Sequence, residues 1–217
     1  MLVGITAQKV KHPHYKETGF YINENWYKLA KEANIQLVPL MNVSSTKKII
    51  NIAKINSFIL SGGGTLSPAF PNIRKEKKKS FLKNIDIERE KLEKMLIRLS
   101  ISNNIPLIGI CRGAQAIAKY CGASLSKVTG HVNTKHNINY YCPVVKKNIS
   151  RTVNSYHDYG LIIDSVPKSI EVIAKYKNIA EFIQHKEKKI FGIMWHPERE
   201  KLFSKYDIML IKNLLKY

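Results

Sequence analysis

Apolar and polar positions follow two periods along this chain. Short apolar runs at Leu2 to Ile5, Gln36 to Leu40, Ser57 to Leu60 and Ile105 to Ile110 have the length and continuity of buried strands. Between them, apolar residues recur at helical spacing. Trp26, Leu29, Ala30 and Ala33 form one stripe. Ile49, Ile50 and Ala53 form a second, with Ser45 or Thr46 at the N-cap position. Leu92, Met95, Leu96 and Leu99 form a third, opened by the acidic Asp86, Glu88 and Glu90. Ala114, Ile117, Ala118 and Cys121 form a fourth. Strand alternating with helix predicts an α/β fold with a doubly wound, mostly parallel sheet and helices on both faces. From about Val132 to Trp195 the pattern changes to strand-like segments joined by turns, and a helix is expected near Asp207 to Leu215. Extra strands should therefore form here before one strand returns to the main sheet.

With 217 residues, 44% of them hydrophobic, the chain can bury a sizeable core and fits one domain spanning residues 1–217. No apolar run approaches the roughly 18 residues of a membrane span. The opening "MLVGIT" enters a strand-like run without the charged and long apolar regions of a signal peptide. A cytoplasmic protein without a membrane partner is expected. The formal charge of +20 raises the question of a polyanion. Only six of the 36 basic residues are Arg, however, so the charge follows a general bias toward Lys, Ile and Asn. The densest run, "RKEKKK" from Arg74 to Lys79, lacks interleaved aromatics and reads as a solvated loop with a weak pull on anionic substrates. No nucleic-acid partner is expected. Three Cys without C-x-x-C spacing argue against a disulfide framework and a structural zinc site, leaving Cys121 and Cys142 as packing residues. His12 and His14 flank a proline in a loop, and His131 and His136 lie in the strand-rich part. Neither pair has zinc spacing, so no metal and no organic cofactor is expected.

Three motifs fall at the carboxyl ends of predicted strands, the edge where open α/β sheets bind ligands. In "IPLIGICRGAQAIAKY", Cys111 sits where a buried strand turns into a helix, flanked by Gly109 and Gly113. This is a thiol version of the nucleophile elbow, and the helix N-terminus favours the thiolate. In "FILSGGG", a strand runs into Gly62, Gly63 and Gly64 without the G-K-[ST] ending of a phosphate loop. Beside a nucleophile, the N–H groups of Gly63 and of Arg112 suit an oxyanion hole. In "KIFGIMWHPERE", a strand runs into His196 and Glu198. In an extended segment, residues two apart project to one side, so the carboxylate can orient the imidazole toward Cys111. Nucleophile, base and orienter are the elements of a catalytic triad.

The strings "GICRGAQ", "SGGG" and "MWHPE" resemble the elbow, oxyanion strand and His-x-Glu segment of class I glutamine amidotransferase-like proteins. Within that superfamily the chain is most similar to the stand-alone γ-glutamyl hydrolases. Asp86, Arg89 and Glu93 echo their "D-x-x-R-D-x-x-E" helix, with Glu90 replacing the second Asp. Asn154, Ser155 and His157 match their "V-N-S-x-H" segment, although Asp158 and Tyr159 replace the usual "H-Q". Their "G-G-x-D-V-x-P" signature reads Gly63, Gly64, Thr65, Leu66, Ser67, Pro68. The resemblance implies a flavodoxin-like sheet and cysteine-dependent hydrolysis of a small γ-glutamyl amide, nucleotide-linked amides included. It further implies that Gln115, Asn154, Ser155 and His157 contact the glutamyl moiety, with no metal or cofactor. The alternatives are a γ-glutamyl-γ-aminobutyrate hydrolase-like enzyme and a glutaminase subunit feeding ammonia to a separate synthase. The leaving group and the oligomeric state are not set by these residues.

Overall fold

The computed structural model describes residues 1–72 and 85–216, and the Arg74–Lys79 run lies outside the described residues. In chain order the elements are β1 (Leu2–Thr6), β2 (Gln8–Lys11), β3 (Thr18–Tyr21), α1 (Asn25–Ala33), β4 (Gln36–Leu40), α2 (Val43–Ala53) and β5 (Ser57–Leu60). Next come α3 (Ile87–Asn103), β6 (Leu107–Ile110), α4 (Arg112–Tyr120), β7 (Leu125–Lys127), β8 (Val132–Cys142) and β9 (Lys147–Tyr156). The chain continues through β10 (Tyr159–Ile162), β11 (Ile170–Tyr176), β12 (Ile179–His185), β13 (Ile190–Ile193) and α5 (Lys205–Lys216). Among the described residues no helix is long and apolar enough to cross a membrane.

The sheet runs β4-β1-β5-β6-β13-β12-β10-β7, with β11 also paired to β12. Its first five strands are parallel, in the 2-1-3-4-5 order of flavodoxin-like folds. β12, β10 and β7 extend it antiparallel. Alternate residues along the parallel strands bury opposite faces, which is why these strands read as unbroken apolar runs. Ile5, Ile59, Ile110 and Ile193 join one core cluster with Trp26 and Leu29 of α1 and with Ile211 and Leu214 of α5. Leu40, Phe58, Leu60 and Leu107 join the other, with Leu92 and Leu96 of α3 and Ile117 of α4. The β8–β9 hairpin lies on the first face, burying Ile138, Tyr140, Ile149 and Val153 there.

Local details depart from the sequence reading for identifiable reasons. Asn42, not Ser45 or Thr46, caps α2: its extended backbone lets Oδ1 accept the Ser45 N–H at 2.9 Å. β6 begins at Leu107, since Pro106 has no N–H for the ladder, although its carbonyl accepts from the Phe58 N–H at 2.9 Å. The β2–β3 hairpin around His12 and His14 carried no period-2 signal because it has no fully buried side.

One buried ion pair ties the β8–β9 hairpin to the last helix. Asp207, in the first turn of α5, accepts from both terminal nitrogens of Arg151 in β9 at 2.8 and 2.6 Å, and from Trp195 Nε1 at 2.9 Å. Removing the carboxylate would leave a mostly buried guanidinium and an indole N–H without a partner. Asp207→Ala is expected to cost about 3–5 kcal/mol, visible as a lower urea midpoint with unchanged slope. An unaltered midpoint would show that the hairpin is held by apolar packing alone.

Candidate active site

Cys111 occupies the turn between β6 and α4 with φ 50° and ψ −103°, a backbone that non-glycine residues rarely adopt. The strained turn is fixed by the sheet: the Cys111 N–H donates to the Ile193 carbonyl of the adjacent strand at 2.7 Å. Close packing explains both flanking glycines. A Cβ on Gly113 would drive into the Leu60 carbonyl, and one on Gly109 into the backbone of Gly113. The helix therefore sits directly on the strand ends, with Cys111 at its N-terminus.

His196 follows β13 and is buried, as is Glu198. Nδ1 of the ring lies 2.7 Å from Glu198 Oε1. The route differs from the extended one expected, because Pro197–Arg199 forms a single 3-10 turn and brings the carboxylate back to the ring. Space for the ring depends on Gly62, where a Cβ would stand 2.5 Å from His196 Cε1. Burial alone would push the imidazolium pKa down. The hydrogen bond to Cys111 and its charge, then the Glu198 carboxylate, outweigh burial and raise the pKa to about 9.

Gly63 and Gly64 have φ of 85° and 80°, a left-handed conformation open to glycine at little cost. Their loop is gripped from behind by Arg89 of α3. Arg89 Nη1 donates to the Gly63 carbonyl at 2.9 Å, while Nη2 donates to the Gly62 carbonyl at 3.1 Å and to the Ser61 carbonyl. Three consecutive carbonyls are thus fixed on the guanidinium side. Arg89 Nε donates to Glu93 Oε1 at 2.8 Å, and Glu93 also takes Arg112 Nη1 at 2.5 and 2.7 Å. Glu90 completes the set by accepting the Ser67 N–H and hydroxyl at 2.5 and 2.7 Å. All four charged side chains are buried. The helix motif around Arg89 was visible in the sequence, but its grip on the glycine loop was not.

A cavity of about 510 Å³ brings together Gly63, Cys111, Arg112, Gln115, His157 and His196. Gln115 Nε2 donates to the Tyr159 carbonyl at 2.8 Å. Asn154 and Ser155 do not line the cavity, so the expected head-group contact gives way to a different placement. Asn154 Oδ1 accepts the His196 N–H, and Nδ2 donates to the His196 carbonyl, both at 2.8 Å. The Ser155 hydroxyl donates to the His131 carbonyl at 2.7 Å. Sequence reasoning missed Lys119, Tyr156 and Arg199 at the cavity. The Arg199 guanidinium lies 4.6 Å from the Tyr156 ring centroid, and only their places beside His157 and Glu198 could have marked them.

A parallel 2-1-3-4-5 sheet carrying a cysteine elbow after its fourth strand and a histidine after its fifth is the class I glutamine amidotransferase-like arrangement. The peptidase C26 family pattern matches residues 1–198, and the chain belongs to that family of hydrolases. It is 32% identical over 216 residues to the γ-glutamyl-CDP-amidate hydrolase of Campylobacter jejuni, covering 96% of each chain. A subunit of the glutamine-hydrolysing GMP synthase of Methanococcus maripaludis is 27% identical, over 85% of this chain and 84% of that one. Among solved structures, a GMP synthase subunit from Thermoplasma acidophilum aligns with TM-score 0.69 at 19% identity, covering 100% of this chain and 92% of that chain. A glutamine amidotransferase of Thermotoga maritima aligns with TM-score 0.63 at 15% identity, over 99% and 84%.

The Arg89 grip makes a prediction separate from the elbow. Arg89→Lys keeps a charge but cannot reach three carbonyls and Glu93 together. It should lower kcat on the order of 10²-fold, as small misplacements of catalytic groups do, while iodoacetamide still labels Cys111. Unchanged kcat would show that the glycine loop holds itself.

Proposed function

We propose that this protein is a cysteine hydrolase of γ-glutamyl amides. The observation that carries the reading is the buried His196, paired to Glu198 through Nδ1 and lining, together with Cys111, a cavity large enough for a small substrate. The Cys111 thiolate adds to the γ-carbonyl carbon, and the oxyanion that forms lies against the N–H groups of Gly63 and Arg112. The C–N bond breaks as the His196 imidazolium gives its proton to the leaving nitrogen. The neutral ring then takes a proton from water, whose oxygen adds to the thioester carbonyl. Loss of the C–S bond releases glutamate and restores thiolate and imidazolium. Glu198 keeps the ring oriented, and Asn154 fixes the backbone that carries it. Gln115, held on the Tyr159 carbonyl, is the cavity residue proposed to meet the glutamyl head group.

The similarity to the Campylobacter enzyme along nearly the whole chain supports γ-glutamyl-CDP-amidate as substrate, with cytidine diphosphoramidate as product for capsule polysaccharide synthesis. Basic Lys119 and Arg199 at the cavity fit an anionic leaving group. The likeness to GMP synthase subunits supports a second reading, a glutaminase supplying ammonia to a separate synthase. A purified chain that releases glutamate quickly from γ-glutamyl-CDP-amidate, and slowly from glutamine, favours the first. Fast glutaminase activity appearing only with a synthase favours the second. Neither activity under any condition would overturn both.

Two further outcomes are expected. Cys111→Ala should abolish glutamate release while leaving the melting temperature within a few degrees of wild type; residual turnover of similar size would remove the cysteine mechanism. Because the His196 proton is held up to about pH 9, kcat/KM should fall above that pH in the wild type. Glu198→Gln removes one of the charges that raise this pKa, so its alkaline limb should move to lower pH and its kcat should fall. Superimposable pH profiles would reduce Glu198 to a bystander.

A further inference from the structure

A second polar cluster adjoins the cavity, and most of it takes no part in the proposed chemistry. His131 precedes β8, His136 lies within it, His157 follows β9 and Glu181 is in β12. All four are buried, with Glu181 fully so. His131 Nδ1, His136 Nε2 and His157 Nε2 stand 3.5, 3.3 and 3.7 Å from the same Glu181 Oε1. Yet His136 Nε2, His157 Nε2 and both Glu181 oxygens have no hydrogen-bond partner among the described residues. Atoms that close, turned toward one point without hydrogen-bond alignment, are costly to bury unless something sits between them.

The tautomers sharpen the point. His157 Nδ1 faces the Tyr159 carbonyl at 3.0 Å and so must carry the proton, which in the neutral ring leaves a lone pair on Nε2 facing the carboxylate. The Ser155 hydroxyl gives its proton to the His131 carbonyl, so it does not supply one to His131 Nδ1 at 3.4 Å. The result is ring nitrogens crowded against a carboxylate, with ligand atoms of His131, His157 and Glu181 all within 4.8 Å of one another.

We propose that His131, His136, His157 and Glu181 form a structural site for a divalent transition metal of the zinc class. Three imidazoles and one carboxylate suit zinc. Zinc–nitrogen bonds of about 2.0–2.1 Å in a tetrahedron give ligand–ligand edges of about 3.3 Å, and the three contacts to Glu181 begin at that value. The ligand atoms of His131, His157 and Glu181 already lie within 4.8 Å of one another and His136 Nε2 stands 3.3 Å from Glu181, so the ion would tie β8, β9 and β12 together beside the cavity. The His157 proton on the Tyr159 carbonyl is the outer hydrogen bond that a metal-bound imidazole ordinarily makes. The sequence concealed the site because its ligands come from β8, β12 and the residues flanking β8 and β9, and share no short motif.

The test needs no substrate. Protein purified without chelators is assayed for metal by mass spectrometry, then stripped and titrated with cobalt(II) and zinc. About one equivalent should bind per chain, with the visible bands of four-coordinate cobalt and without thiolate charge-transfer absorption. A hundredfold excess over Kd should raise Tm by roughly 5–10 °C. Glu181→Gln should lose the metal, whereas Cys111→Ser should keep it, which separates this site from the thiol. Should Glu181→Gln not fold, the wild-type titration and the Cys111→Ser variant decide. A stripped protein that binds neither metal and melts unchanged would overturn the proposal, as would retention in Glu181→Gln with loss in Cys111→Ser.

Discussion

Two arginines and two glutamates, buried between α3, α4 and the glycine loop, set the geometry of the catalytic edge. Arg89, Arg112, Glu90 and Glu93 are balanced in charge, and removing any one of them breaks that balance. Burying ions is costly, and a buried pair is weak evidence for stability as such. What the network supplies is position. Glu93 holds Arg89 and Arg112 together, Arg89 grips the carbonyls after β5, and Glu90 fixes Ser67 farther along the same loop. Arg112 is also the residue whose N–H follows the nucleophile, so one network reaches both proposed oxyanion donors.

The apolar layers supply the opposite property. Four of the five parallel strands contribute side chains to both cores, and β1 contributes Val3 and Ile5 to one. Polar groups are concentrated at one edge and under the β8–β9 hairpin. Folding energy from the layers can therefore support strain at Cys111. This division between an apolar frame and a strained polar edge is common where function sits on strand ends.

Much of this was legible in the sequence, for local reasons. Cys111 between two glycines, the glycine run after Leu60 and His196 after Ile193 each announce themselves within a few residues, because a strand end and its turn are neighbours in sequence. The parallel, doubly wound sheet followed from alternating strand and helix patterns. The failures were long-range. Asn154 looked like a ligand contact because its motif is local, yet its partner is His196, across the fold. Arg89 and Glu93 look like a solvated helix pair until the loop they grip is in place. His131, His136, His157 and Glu181 meet only after three strands have folded over one another.

The Asn154 amide presents one donor and one acceptor to the N–H and carbonyl of His196, the same pair that a neighbouring strand would offer. It acts as a single borrowed peptide unit, extending the ladder past the end of β13 without any further backbone. A full strand at that position would send side chains to both sides and crowd the space over the imidazole. By substituting one side chain for a strand, the fold holds the His196 backbone at both its N–H and its carbonyl while leaving the sheet's edge open above it.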